Sequence, residues 1–240
     1  MAETASSSSH RLRRTGAAFC LAGLGLAAFM AGGSPRAGEN TDAPAVETVK
    51  AGEAGGFTLP EKIDAVLEDP AFAVSQGGEP LAFLRLRKEW TLQKEAVAGL
   101  GVSFAAIPLS SLVGAIHLKA PWTDYRGVAV PAGTYTLRYG IQPADGNHMG
   151  VSVYRDFLIL LKPDDDPGPS ADLDLRRLVD LGKKSSGAAH PWVLGLYPVE
   201  DGVEPPCMAR NEMDHWMLVR RANGLTLGLV ILGQETVEGN

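Results

Sequence analysis

Cysteine is nearly absent from the chain, with two residues in 240, Cys20 and Cys207. Cys20 lies in an apolar N-terminal run, so a leader cleaved behind that run leaves Cys207 alone. A disulfide framework is therefore not expected, and the fold must rest on a hydrophobic core, which a chain of this length can supply. Basic charge is short as well: 22 Lys and Arg stand against 28 Asp and Glu, for a formal charge of −6. Arg11, Arg13 and Arg14 fall in the first 33 residues, so the remainder is more acidic still. No basic stripe offsets this balance, and an acidic surface repels phosphate backbones and anionic headgroups, so nucleic acid is not an expected partner. Long hydrophobic runs are missing too. The longest, from Gly16 to Met30, is too short and too rich in glycine for a comfortable membrane span, which wants about 20 strongly apolar residues. Nucleophile and phosphate motifs are also lacking: there is no Gly-x-Ser-x-Gly elbow and no His-Glu-x-x-His, and Gly99-Leu100-Gly101 does not continue into a dinucleotide fingerprint. A binding protein is a better expectation than an enzyme.

What is present begins with an export signal. The basic cluster Arg11–Arg14 precedes the apolar run, and Ala31, Gly32 and Gly33 close it with small residues. Basic, apolar, small is the order of a secretory leader, because the basic end stays cytoplasmic while the apolar stretch enters the translocon. Residues 1–33 read as a signal peptide, and the protein is expected in the periplasm or outside the cell, without an integral membrane span once the signal is cleaved. Residues 34–56, rich in Gly, Ala, Pro, Glu and Thr, read as a flexible linker, and 57–240 as one domain.

Within that domain the dominant period is two. Thr134, Thr136 and Arg138 alternate with Tyr135, Leu137 and Tyr139, the signature of a half-buried strand. Residues 81–87, 102–107, 112–118, 157–161, 192–197, 215–219 and 225–232 are further strand-length apolar runs, and Asp124-Tyr125-Arg126-Gly127 is a turn sequence. Two short helices are expected. Thr58 with Glu61 makes a capping box for one. Ser170 caps the other, Leu175, Leu178 and Val179 share its face, and Gly182 ends it. Many short strands between Gly/Pro turns predict an all-β fold, an antiparallel β-sandwich of jelly-roll or similar type.

Candidate chemistry centres on soft ligands. Cys207, Met208, Met213, His215 and Met217 crowd one stretch, and Met149 adjoins His148. Thiolate, thioether and imidazole together favour copper, Cu(I) above all, so Cys207, Met213, His215 and Met217 form a candidate copper set. His148, His190 and His215 could instead converge on zinc. Asp164, Asp165 and Asp166, with Asp172 and Asp174, offer oxygen ligands to calcium, though not at EF-hand spacing. Each set has a plain reading as core filler, turn residue or solvated loop. Asp145, Asn147 and His148, in the loop after the alternating strand, together with His190 and the exposed Trp122, form the candidate binding set, since loops carry most function on such scaffolds. Trp90, Trp122, Trp192 and Trp216, with Tyr125 and Tyr197, could furnish an aromatic face.

The run from Val130 through Ala132-Gly-Thr-Tyr-Thr-Leu-Arg-Tyr-Gly to Asp145-Gly-Asn-His148-Met-Gly, with Asp156-Phe157-Leu158 and His190-Pro191, resembles a group of uncharacterised exported bacterial proteins over about residues 100–195. The resemblance implies export and a β-fold, and brings no chemistry. The reading that results is an exported, non-catalytic binding or envelope-associated β-domain whose partner is a small molecule, a glycan or an envelope protein. Its rivals are a copper- or zinc-binding periplasmic protein and a hydrolase whose acids and His148 meet only in three dimensions.

Overall fold

Alternating apolar side chains build one face of almost every strand, and that face turns inward. The computed structural model describes residues 43–94, 99–143 and 153–233. In order these form β1 (Ala45–Val49), α1 (Glu61–Asp64), β2 (Ala71–Gln76), β3 (Glu79–Leu86), β4 (Leu112–Leu118), β5 (Trp122–Thr123), β6 (Ala129–Val130), β7 (Gly133–Ile141), β8 (Asp156–Leu161), a 3-10 turn at Pro163–Asp165, α2 (Leu175–Ser186), β9 (Val193–Tyr197), β10 (Cys207–Arg210), β11 (Trp216–Ala222) and β12 (Leu225–Leu232).

Ten strands join in a single antiparallel sheet, ordered β1-β2-β3-β4-β7-β8-β9-β12-β11-β10, and β5 and β6 pair as a separate ribbon. The outer strands β1 and β10 come into contact, so the sheet rolls into a near-barrel. The all-β antiparallel class is as the sequence predicts. The two facing walls come from opposite sides of one rolled sheet, which buries its inner face as a sandwich would. Leu84, Ile116, Leu137, Tyr139, Leu158 and Leu229 are among the side chains of this interior, each fully buried.

Both ends of the near-barrel are stopped. At one end the Tyr139 hydroxyl donates to Asp156 Oδ1 at 2.6 Å, and the backbone amides of Ser103 and Phe104 donate to the same carboxylate. Burial, reinforced by the Asp156 carboxylate, pushes the Tyr139 phenol far up. Residues 102–107 are therefore not the strand the apolar run predicts. They are turns whose Phe104 and Ile107 drop into the core, with amides satisfied by Asp156 instead of by a neighbouring strand. At the other end lies the β5–β6 ribbon, whose Asp124-Tyr125-Arg126-Gly127 turn is found as expected. Asp124 accepts from the amides of Arg126 and Val128.

Three further expectations change. Residues 45–49 lie inside the predicted linker, yet they pair with residues 71–75 of β2. The open edge of β2 needs a partner, and the ladder supplies the order that composition does not. The Thr58 capping box does not form: α1 starts at Glu61 behind Pro60, and no side chain caps it. The cap of α2 is Asp174, not Ser170, and the helix runs through Gly182 to Gly187, which takes the left-handed conformation at φ 67°. Gly182 faces the sheet, where a Cβ would stand 2.5 Å from Pro191 Cβ and 2.8 Å from Ile159 Cγ2. It marks where the helix touches the sheet and does not end it. Asp174 accepts from the Arg177 amide at 2.7 Å. Replacing it with alanine is expected to cost about 1 kcal/mol, read as a lower urea midpoint with unchanged slope.

No helix among the described residues is long and apolar enough to cross a membrane.

Candidate functional site

Two glycines on adjacent strands prepare a recess on the outer face of the sheet. In β9 the alternation sends Leu194 and Leu196 inward, leaving Val193, Gly195 and Tyr197 outside. Gly228 of β12 lies opposite Tyr197 in the ladder. A Cβ on Gly195 would meet the Tyr125 ring at 3.1–3.2 Å, and one on Gly228 would meet Met217 Sδ at 2.9 Å and the Tyr197 carbonyl at 3.0 Å. Glycine within a strand otherwise weakens it, so its use here marks a close approach.

Aromatic rings fill the space. Tyr125 is delivered by the β5–β6 turn, which Asp124 organises: its carboxylate is wholly buried and also accepts from the Val193 amide at 3.2 Å. Burial pushes the Asp124 carboxyl up, opposed by those amides. The Tyr125 and Tyr197 hydroxyls share a short hydrogen bond. His215, 3 % exposed, stands edge-on to both rings, at 5.6 Å and 5.9 Å between centroids. Tyr154 crosses Tyr197 at 4.7 Å and 68°.

Beside this cluster opens a pocket of ≈ 240 Å³. Tyr197 and Met217 form its buried floor, Tyr154 and Met213 its half-buried walls, and Glu200, Arg210 and Glu212 its exposed rim. The turn between β10 and β11 aims Met213 into it. Asn211 Oδ1 accepts from the amides of Met213 at 3.0 Å and His215 at 2.9 Å, and Asp214 takes φ 64° to complete the turn. Arg210 on the rim stands 3.3 Å from Asp214 and over the Trp216 ring at 5.8 Å. Aromatic, thioether and carboxylate groups thus line one hollow.

The sequence-predicted residues scatter. Asp145, Asn147 and His148 lie outside the described residues. His190 is exposed on the turn behind α2, where its carbonyl accepts from the Ser186 hydroxyl at 2.8 Å. Trp122, expected exposed, is half-buried: its Nε1 donates to the Ile231 carbonyl at 2.7 Å, and it borders a second hollow of ≈ 330 Å³ with Leu81, Leu118 and Leu232. Of the copper set, Met213 and Met217 share the pocket, and His215 lies behind it between the tyrosines. Cys207 is 1 % exposed, packed with Val203, Ala209 and Val219. No group of three or more His, Cys, Asp or Glu among the described residues could hold a metal ion. The calcium set is likewise divided. Asp165 pairs with Lys184 at 2.7 Å and accepts from Ser185, Asp166 is buried against Arg138, and Asp174 caps α2.

Tyr154, Asn211, Glu200 and Glu212 escaped the sequence reading. Only glycines 195 and 228, inside otherwise apolar strands, signalled that something packs closely there.

Fold and site together define an all-β near-barrel with an aromatic and thioether pocket on its outer face. Comparison with protein-family models, with curated proteins and with solved structures finds no match.

Proposed function

We propose that this chain is an exported, non-catalytic binding module that holds a small ligand in the pocket over Tyr197 and Met217. One observation carries the reading: Gly195 gives up strand stability to seat the Tyr125 and Tyr197 rings on the outer face, and Gly228 to seat Met217, beside a pocket that Tyr197 and Met217 line. Export rests on the basic, apolar and small-residue order of residues 11–33 and on the resemblance to exported proteins. Cell fractionation with intact mass, before and after reduction, tests it: a full-length protein in the cytoplasmic fraction overturns export.

The binding reading is tested by labelling methionine methyls with carbon-13 and titrating a panel of small aromatic, ammonium, carboxylate and sugar compounds. The expected result is a saturable shift of the Met213 and Met217 signals by at least one compound. Met208, fully buried inside the near-barrel, serves as the control and stays still. Absence of any shift at millimolar concentrations across the panel overturns the reading.

A further inference from the structure

We infer that the ligand of this pocket is a small organic cation, a substituted ammonium with a compact apolar body; the inference rests on the pocket being a binding site. Tyr154 and Tyr197 cross at 68° with 4.7 Å between centroids, so two rings meet at the pocket as a corner. Phenol faces carry negative electrostatic potential and attract ammonium groups, and quaternary ammonium is held in this way by aromatic cages. The thioethers of Met213 and Met217 add polarizable contact for N-methyl groups.

The rim agrees in sign. Glu200 and Glu212 are exposed there, and the one cation among the described lining residues, Arg210, pairs with Asp214 and lies over the Trp216 ring. An arriving cation meets two carboxylates and a chain of net charge −6; an anion meets repulsion.

A glycan is disfavoured by the same inventory. Sugar hydroxyls need several free polar groups, but among the described residues the lining holds one uncharged polar side chain other than tyrosine, Asn211. Its Oδ1 already accepts two amides of its own turn. Size points the same way. At ≈ 240 Å³ the pocket is smaller than the roughly 300–1,000 Å³ typical of drug-sized ligands, and suits a head group of a few heavy atoms.

Calorimetry on the intact protein compares choline with 3,3-dimethylbutan-1-ol, in which carbon replaces the charged nitrogen at the same shape. Choline is expected to bind at least tenfold more tightly. Tyr154→Leu should remove most of that preference, and Tyr154→Phe, which keeps the ring face, should retain it; thermal unfolding of both variants checks that they fold. Equal binding of choline and the alcohol overturns the cation while leaving the pocket reading intact. So does binding of neither, if another panel compound still moves the Met213 and Met217 methyls. If nothing moves those methyls, both readings fall.

Discussion

Asp166→Ala is expected to destabilise the protein by about 3–5 kcal/mol, the usual cost of breaking a buried ion pair by removing one partner. Arg138 projects from the outer face of β7 and is completely buried, as is Asp166. The carboxylate takes Arg138 Nε at 2.9 Å and Nη2 at 2.6 Å, the Thr136 hydroxyl at 2.6 Å and the Gly168 amide at 2.8 Å. Removing it strands a guanidinium in a dry site and frees the loop that leads into α2. That loop is otherwise held by Lys62 on the Pro167 carbonyl, Arg87 on the Pro169 carbonyl and Ser110 on the Leu173 amide. Replacing both partners, Arg138→Met with Asp166→Leu, should cost less than removing the acid alone, because no uncompensated charge remains.

The pH dependence has a defined sign. Burial alone would push the Asp166 carboxyl up, but Arg138, Thr136 and the Gly168 amide overcome it and hold the group below the usual carboxylate range. An unfolded aspartate titrates near 3.9, so the stabilisation is complete above about pH 4 and is lost as pH falls through the lower folded value. Urea melts of wild type and Asp166→Ala should therefore differ most near neutrality and converge in acid. A gap that stays constant down to pH 2 would refute the assignment of this stability to the ion pair.

The same pair shows why the sequence could be read only in part. Alternation along β7 placed Arg138 with Thr134 and Thr136 on a polar face, and three consecutive aspartates read as a solvated loop. Both inferences are sound locally. They fail because the loop folds over that face, and nothing within either segment reports the other, 28 residues away. Where local signals suffice, the reading holds: Leu112–Leu118 and Leu225–Leu232 are strands over their predicted ranges, and the turn at Asp124 forms as expected. Where order depends on a partner, it does not hold. β1 is ordered by the edge of β2, and β10, only four residues long, by β11. The pocket follows the same logic. Tyr125 and Tyr197 were recognisable as potential ligand-facing rings, but their meeting requires the β5–β6 turn to cross β9, a fact of topology rather than of either segment.

Gly195→Val separates the packing account from simple strand propensity, because the two predict opposite signs. Valine is a strong strand former and glycine a weak one, so propensity alone gives a gain of up to about 1 kcal/mol. The backbone at Gly195 is ordinary extended strand, and so no conformational penalty opposes the change. Sterics do. The first added carbon falls 3.1 Å from Tyr125 Cδ2 and 3.2 Å from Tyr197 Cε2, and the two methyls behind it must occupy the ring's own place. Neither ring yields easily: Tyr125 is tied to Tyr197 through its hydroxyl and to Asp124 through the turn, and His215 packs edge-on against both. The expected outcome is a loss of about 1–3 kcal/mol, the usual cost of overpacking a filled site. Tyr125 should also be displaced, blunting the response of the Met213 and Met217 methyls to whichever panel compound moves them. A variant as stable as wild type, with an unaltered methyl response, would mean that the glycine keeps no space for the rings and that the pocket is incidental to the strand. Loss of stability with the methyl response intact would keep the packing account and detach it from binding.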